Sequence, residues 1–134
     1  MANFSFYNDA ALTSLVNGVV PIGEGTITKV YYFGSTDDTL VLQDAVAPGT
    51  DPIYVTIVDA NPGSGAEASW VKVATTLSGL DSATPGASVS IGLSVYGGAG
   101  NSIPVYVRFV NSLSGTSSSL DLSIKTSTVK EFTF

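Results

Sequence analysis

Apolar and polar side chains alternate along most of the chain with a period of two, the spacing of a β-strand that has one buried face. The clearest example is the segment Ala87–Tyr96, ASVSIGLSVY. Its apolar face consists of Val89, Ile91, Leu93 and Val95. Helical periodicity is nearly absent elsewhere, so the pattern predicts an all-β protein.

Nine segments qualify as strands because each is rich in Val, Ile, Tyr, Phe or Thr. The stronger ones are Thr26–Phe33, Thr39–Leu42, Ile53–Asp59, Ser69–Thr75, Ala87–Tyr96, Ile103–Val110 and Ser119–Lys125, and the weaker ones are Asn3–Tyr7 and Val129–Phe134. Turns rich in Gly, Pro, Asn and Asp separate them. Seven to nine short strands with such turns predict a single antiparallel β-sandwich, Ig-like or jelly-roll-like.

The length of 134 residues fits one domain. We expect a single sandwich spanning residues 1–134, with an extended N-terminal arm at 1–7 and a C-terminal tail at 127–134. Asn8–Val20 is expected to be either helical or looped, with Asp9 able to cap a short turn, and Leu77–Gly86 is expected to be a loop that crosses between the sheets. The glycines at 97, 98 and 100 predict a flexible loop between two core strands.

The chain has few charges, which narrows the kinds of partner it can bind. Charged residues make up 12%, about half the usual share of roughly 25%. The net charge is −6 and the five cations are scattered singly, so we expect no nucleic-acid or anionic membrane binding. A surface of Ser, Thr, Asn and Gly suits a protein that is packed against partners. The absence of cysteine fits folding in a reducing cytosol.

The residues needed for catalysis are scarce. The chain has no histidine, which removes the commonest general base and nucleophile partner. We therefore expect no enzymatic activity, no catalytic residue, no cofactor and no metal. The densest acidic cluster is Asp37–Asp38 with Asp44 and Asp51, which lacks the spacing of an EF-hand calcium loop. Solvated turn tips are the favoured interpretation of these acids, with calcium the alternative.

The aromatic residues are the remaining candidates for a functional role. Alternation in Ser69–Thr75 places Trp70, the only tryptophan, beside Lys72, which leaves open whether it fills the core or anchors an interface. Tyrosine is common at interfaces, and chain ends seldom carry several aromatic rings unless they are held down. The expected interface residues are Phe4, Phe6, Tyr7, Tyr31, Tyr32, Trp70, Phe132 and Phe134.

Several segments together resemble small Ig-like β-sandwich virion proteins of tailed bacteriophages, of the head-decoration (cement) or tail-accessory type. They are Phe6–Ala10, Tyr31–Gly34, Pro48–Gly49, Leu80–Gly86 leading into SVSIGLSVYGG, VYVRFVN, Asp121–Ile124 and Glu131. The likeness spans most of the chain and rests on turn and core residues. It implies a structural subunit, made in the bacterial cytoplasm and located in the virion, that binds the major capsid protein or other virion subunits. No catalytic residues are carried over, and we expect a homo-oligomer.

Three other functions are considered. A carbohydrate-binding or adhesin module would place Trp70 and two exposed tyrosines in one plane. A pilus or surface-layer subunit would normally need a secretion signal, and the N-terminal sequence does not have the basic and apolar regions of one. A hydrolase is the least favoured, because the chain lacks histidine and its charged residues are mostly isolated.

Overall fold

A computed structural model describes residues 3–16, 25–59, 70–111 and 122–133 and shows an all-β sandwich with almost no helix. Its strands are β1 (Ser5–Tyr7), β2 (Gly25–Gly34), β3 (Leu40–Asp44), β4 (Ile53–Asp59), β5 (Val71–Ala74), β6 (Val89–Gly92), β7 (Ser94–Tyr96), β8 (Ile103–Asn111), β9 (Leu122–Thr126) and β10 (Val129–Thr133). One short helix, α1 (Gly79–Ser82), and a 3-10 turn at Ala99–Asn101 complete the described elements.

The first layer is a four-stranded antiparallel sheet in the order β1-β2-β8-β5. Its centre is the long β2–β8 pair, whose register runs from Gly25 opposite Asn111 to Phe33 opposite Ile103. Alternation along these strands sends Tyr31, Phe33, Val105, Val107 and Phe109 toward the second layer. Tyr32, Tyr106 and Arg108 alternate with them and face outward.

The second layer consists of two three-stranded antiparallel sheets, β10-β3-β7 and β6-β4-β9. They are consecutive halves of one layer, because β6 and β7 are separated only by Leu93, and β9 and β10 only by Ser127 and Thr128. Backbone hydrogen bonds extend each half into the break: the N–H of Ala45 donates to Thr128 (3.1 Å) next to the β3–β10 pair, and that of Ser127 donates to Tyr54 (2.8 Å) next to the β4–β9 pair. β3 and β4 are therefore the two parts of the central strand of this layer, and the loop between them interrupts it.

The core lies between the two layers. Its most completely buried large side chains include Phe4, Phe33, Phe109, Leu42, Ile53, Val55, Val71, Val95 and Val105. Most are the inward residues of the alternating pattern, so burial of one face of each strand is the main stabilising contribution.

Most sequence-based expectations for the strands are confirmed. β4 has the predicted bounds, and β2, β3, β5, β8, β9 and β10 differ from them by a few residues at their ends. The segment Ala87–Tyr96 is an exception, because it forms two strands and thereby gives ten in the described chain. Leu93, predicted to be buried, is 46% exposed. Gly92 has a φ of +111°, which interrupts the pleat and turns Leu93 away from the core.

The segments between strands agree with expectation only in part. Residues 8–16 are looped, one of the two alternatives expected for this segment, and Asp9 accepts hydrogen bonds from the backbone of Thr13 and Ser14. The predicted crossing loop at 77–86 includes α1. The part of Asn8–Val20 beyond residue 16 lies outside the described residues.

The glycine-rich loop after β7 is closely packed, contrary to the expectation of a flexible connection. The N–H of Gly97 donates to Leu40 and that of Gly98 to Ser35, both at 2.8 Å. A Cβ added at Gly97 would lie 1.9 Å from the carbonyl oxygen of Asp37, whereas one added at Gly100 would meet nothing within 4 Å. Gly97 is therefore required by the close approach of two backbones.

We predict that Gly97→Ala lowers the free energy of unfolding by about 1–3 kcal/mol or more, because either the 35–40 turn or β7 must shift. Gly100→Ala is the matched control and should stay within about 0.5 kcal/mol of the parent. Urea denaturation measures both values. Equal stability of the two variants would contradict the close packing at position 97.

Candidate interaction surface

Two of the carboxylates singled out by the sequence, Asp37 and Asp44, accept hydrogen bonds from the backbone of the residues that follow them. Asp37 accepts hydrogen bonds from the Thr39 hydroxyl and then from its N–H, which lower the pKa of Asp37. Asp44 accepts from the N–H groups of Val46 and Ala47. In the parts of the chain that the structure describes, no group of three or more Asp, Glu, His or Cys side chains is placed to hold a metal ion. The turn interpretation of these two acids therefore agrees with the geometry.

Two depressions in the surface could admit a small molecule. One, of about 370 Å³, lies between β5, α1 and the start of β6, and small apolar and hydroxyl side chains line it. The other, of about 310 Å³, lies between β1 and β9, with Phe4, Phe6 and Ile124 in its wall. The first has no ionisable side chain in its lining and the second has only Lys125, so neither has the charged groups of an acid–base site.

Two of the predicted interface residues belong to the core, which corrects that prediction. Phe4 is 1% exposed and Tyr31 is 5% exposed, so neither ring can contact a partner. Tyr31 faces the second layer because it alternates with Tyr32 on β2, and burial raises the pKa of its phenol. The sequence showed adjacent aromatic residues but did not show which of them faces inward.

Two further predicted residues, Phe6 and Trp70, lie at the rim of the core. The ring of Phe6 packs against that of Phe33 with centroids 4.9 Å apart. Trp70 meets Phe109 edge-on at 6.0 Å. Both side chains are half-buried and pack on the core, so Trp70 makes the core contact that one of its two interpretations requires.

Tyr7 and Tyr32 form part of an outward-facing row on the first layer. They lie directly opposite each other on β1 and β2, and Tyr32 is opposite Pro104 on β8. Tyr106 occupies the next outward position on β8, opposite Val30. We call Tyr7, Tyr32, Pro104 and Tyr106 the tyrosine row, and all four are half-buried.

The tyrosine row includes two residues that the sequence-based list of interface residues missed. In the sequence, Tyr106 alternates with the apolar residues Val105 and Val107, so its outward position was available as a signal. No such signal existed for Pro104, because only the register of β2 against β8 shows that it lies opposite Tyr32.

The chain itself covers another part of that outer face. Leu80 of α1 and Ala74 of β5 are buried but lie outside the main core. Arg108 on β8 donates to Asp81 of α1 at 2.7 Å and to the Thr28 hydroxyl at 3.3 Å. The helix thus covers the β5 end of the sheet, and the tyrosine row occupies the other end.

The second layer also has apolar side chains on its outer face. Phe132, Val41 and Tyr96 lie opposite one another on β10, β3 and β7. Val41 is buried although it lies outside the core cluster, and the ammonium of Lys130 lies 5.6 Å from the Phe132 ring centroid. Phe132 is half-buried, and Phe134 falls outside the described residues.

The two ends of the chain are joined to each other across the layers. The Glu131 carboxylate on β10 accepts hydrogen bonds from the backbone N–H (2.9 Å) and the side-chain amide (3.0 Å) of Asn3. Burial raises the pKa of Glu131, but the hydrogen bonds from Asn3 and from the Phe4 N–H outweigh it and hold the pKa below 4.5. Both ends therefore pair with strands of their own domain.

Comparison of the chain with models of known protein families, with curated proteins and with solved structures gives no match in any of the three. Within the described residues, no helix has the length and apolar character required to cross a membrane.

We predict that Phe4→Ala lowers the free energy of unfolding by about 3–5 kcal/mol, because it empties a fully buried site. Leu15→Ala, at a residue that is 64% exposed, should change it by no more than about 0.5 kcal/mol. Thermal or urea denaturation compares them. An equally small effect for both would mean that the N-terminal segment does not belong to its own core.

Acid should destabilise the protein through Glu131. Its pKa is lowered on folding, so its stabilising effect is present above pH about 4.5 and is lost as the pH falls through the folded-state pKa. The pKa of Asp9, lowered by the Thr13 hydroxyl and the Ser14 N–H, and that of Asp37 act in the same direction. Glu131→Gln should make the loss of stability between neutral and acid pH shallower, as measured by urea denaturation at a series of pH values. Parallel curves for the parent and the variant would contradict this role.

Proposed function

We propose that this chain is a non-enzymatic structural subunit that binds a protein lattice through the tyrosine row on the outer face of its first layer. The specific form that we propose is a decoration or cement protein of a tailed-phage shell. It would bind the major capsid protein or a neighbouring virion subunit.

The observation that carries this proposal is the chemistry of the tyrosine row. The exposed face of an antiparallel sandwich is ordinarily polar, with hydrophobic side chains restricted to the inner face. Here one half of the outer face presents three tyrosines and a proline at adjacent positions of β1, β2 and β8. Tyrosine is enriched at protein interfaces because its ring supplies contact area and its hydroxyl can form a hydrogen bond.

The placement of the charged residues supports the same function. The carboxylates of Asp37 and Asp44 lie in a turn and at the end of β3, and both accept hydrogen bonds from backbone N–H groups. Removing an ion from water is costly. The tyrosine row contains no charge, so its burial against a partner avoids that cost. The resemblance to phage virion proteins is the reason for proposing a phage shell as the lattice.

The carbohydrate-binding alternative receives less support from the geometry. It requires Trp70 in one plane with exposed tyrosines. Trp70 packs on the Phe109 ring at the rim of the core, whereas Tyr7, Tyr32 and Tyr106 face outward from the first layer.

The proposal is tested with Tyr32→Ser, which removes the central ring of the tyrosine row. Shells are prepared from virions produced with the gene for this chain deleted, and the purified protein is added back. We expect the parent to sediment with the shells and the variant to bind more weakly by about 2 kcal/mol or more, roughly 30-fold, as for an interface tyrosine at a hot spot.

The matched control is Tyr54→Ser, which removes an exposed tyrosine of β4 on the second layer. It should bind the shells as the parent does, and both variants should retain a cooperative melting transition. Failure of the parent to bind would refute the shell proposal. Equal binding by both variants would refute the assignment of the tyrosine row.

A further inference from the structure

One edge of the second layer has no charged side chain. β6 and β7 each lie at an edge among the strands that the structure describes, and together they form what we call the β6–β7 edge, Val89–Tyr96. Three of the other outer strands carry charges: Lys72 on β5, Lys125 on β9, and Lys130 with Glu131 on β10. The remaining outer strand, β1, has no charge, but residues 15–16 pair with its open side. Charged edge residues are a common means of preventing strands from pairing between molecules. The β6–β7 edge has no such protection.

Leu93 lies at the centre of this edge and is 46% exposed. The edge bends there, since Gly92 has a φ of +111° and the two flanking strands belong to different sheets. A straight partner strand could pair with β6, of four residues, or with β7, of three, but could not follow both. A partner strand that pairs with the whole edge must itself bend at the position opposite Leu93.

We propose that two copies of this chain pair through their β6–β7 edges, antiparallel, about a two-fold axis at Leu93. With Leu93 opposite its own counterpart, Val95 lies opposite Ile91 and Ser94 opposite Gly92. Val95 and Ile91 are both core residues, so the inner faces of the two layers join. A shift of one residue would place inward residues opposite outward ones, which disfavours the neighbouring registers.

Charge and shape both select a second copy as the occupant. Each chain has a net charge of −6, so contact between two copies is least opposed at a surface without carboxylates. The sequence has no charged residue between Ala87 and Val107, which includes the whole edge. The two-fold axis also places the bend at Leu93 of one copy opposite the same bend in the other copy. The resulting interface is self-complementary, as a two-fold dimer requires.

The first test is the mass of the full chain in solution, measured by sedimentation equilibrium over a wide range of concentration. We expect the parent to approach twice 13.7 kDa and Leu93→Asp to have half the mass of the parent. Leu15→Asp introduces the same charge at another exposed leucine and should associate as the parent does. A parent that stays a single chain at every concentration overturns the proposal, as does equal association of the two variants.

The second test fixes the register. The chain has no cysteine, so Leu93→Cys provides a single thiol, and directly opposite strand residues lie close enough for a disulfide. Mild oxidation should convert this variant to a covalent dimer, whereas Leu77→Cys, also at an exposed leucine, should stay largely unlinked. Equal cross-linking of both overturns the Leu93 axis. Neither test involves Tyr32 or a shell, so its outcome is independent of the proposed function.

Discussion

The antiparallel pairing of β2 with β8 is the interaction on which the rest of this structure depends. It joins nine residue pairs, from Gly25–Asn111 to Phe33–Ile103, and both other strands of the first layer are added to it. Its inward residues form one wall of the core and its outward residues carry most of the tyrosine row. One run of alternating residues thus determines both the stability of the sandwich and the chemistry of its outer face.

The second layer is not one continuous sheet, because all three of its strands are interrupted at about the same distance along the layer. The central strand makes an excursion between β3 and β4, the edge strand bends at Leu93, and the opposite edge passes Ser127 and Thr128. Each half is then free to take its own twist over the twisted first layer. The break also exposes Leu93, so a feature that serves packing within the domain also creates an apolar edge.

Alternation was sufficient to predict the fold class and the positions of most strands, because a period of two has a direct meaning for a sheet with one buried face. It could not show the division of Ala87–Tyr96, since a glycine with positive φ has the same place in the pattern as any outward residue. It also could not assign Phe4 and Tyr31 to the core. Adjacent aromatic residues send rings to both faces, and only the strand register shows which face is covered.

The distribution of acidic residues bears on how such a surface stays in solution. Asp9 and Asp37 lie in turns and Asp44 ends β3 just before one, and all three accept hydrogen bonds from backbone N–H groups. Net negative charge keeps free molecules apart, yet its repulsion falls off within about 10 Å at 0.1 M salt. Charge in turns can therefore limit non-specific aggregation while leaving the flat outer faces free for contacts at van der Waals distance. Because the tyrosine row contributes no charge of its own, specificity there must come from shape, which a rigid pleated sheet with fixed aromatic positions can supply.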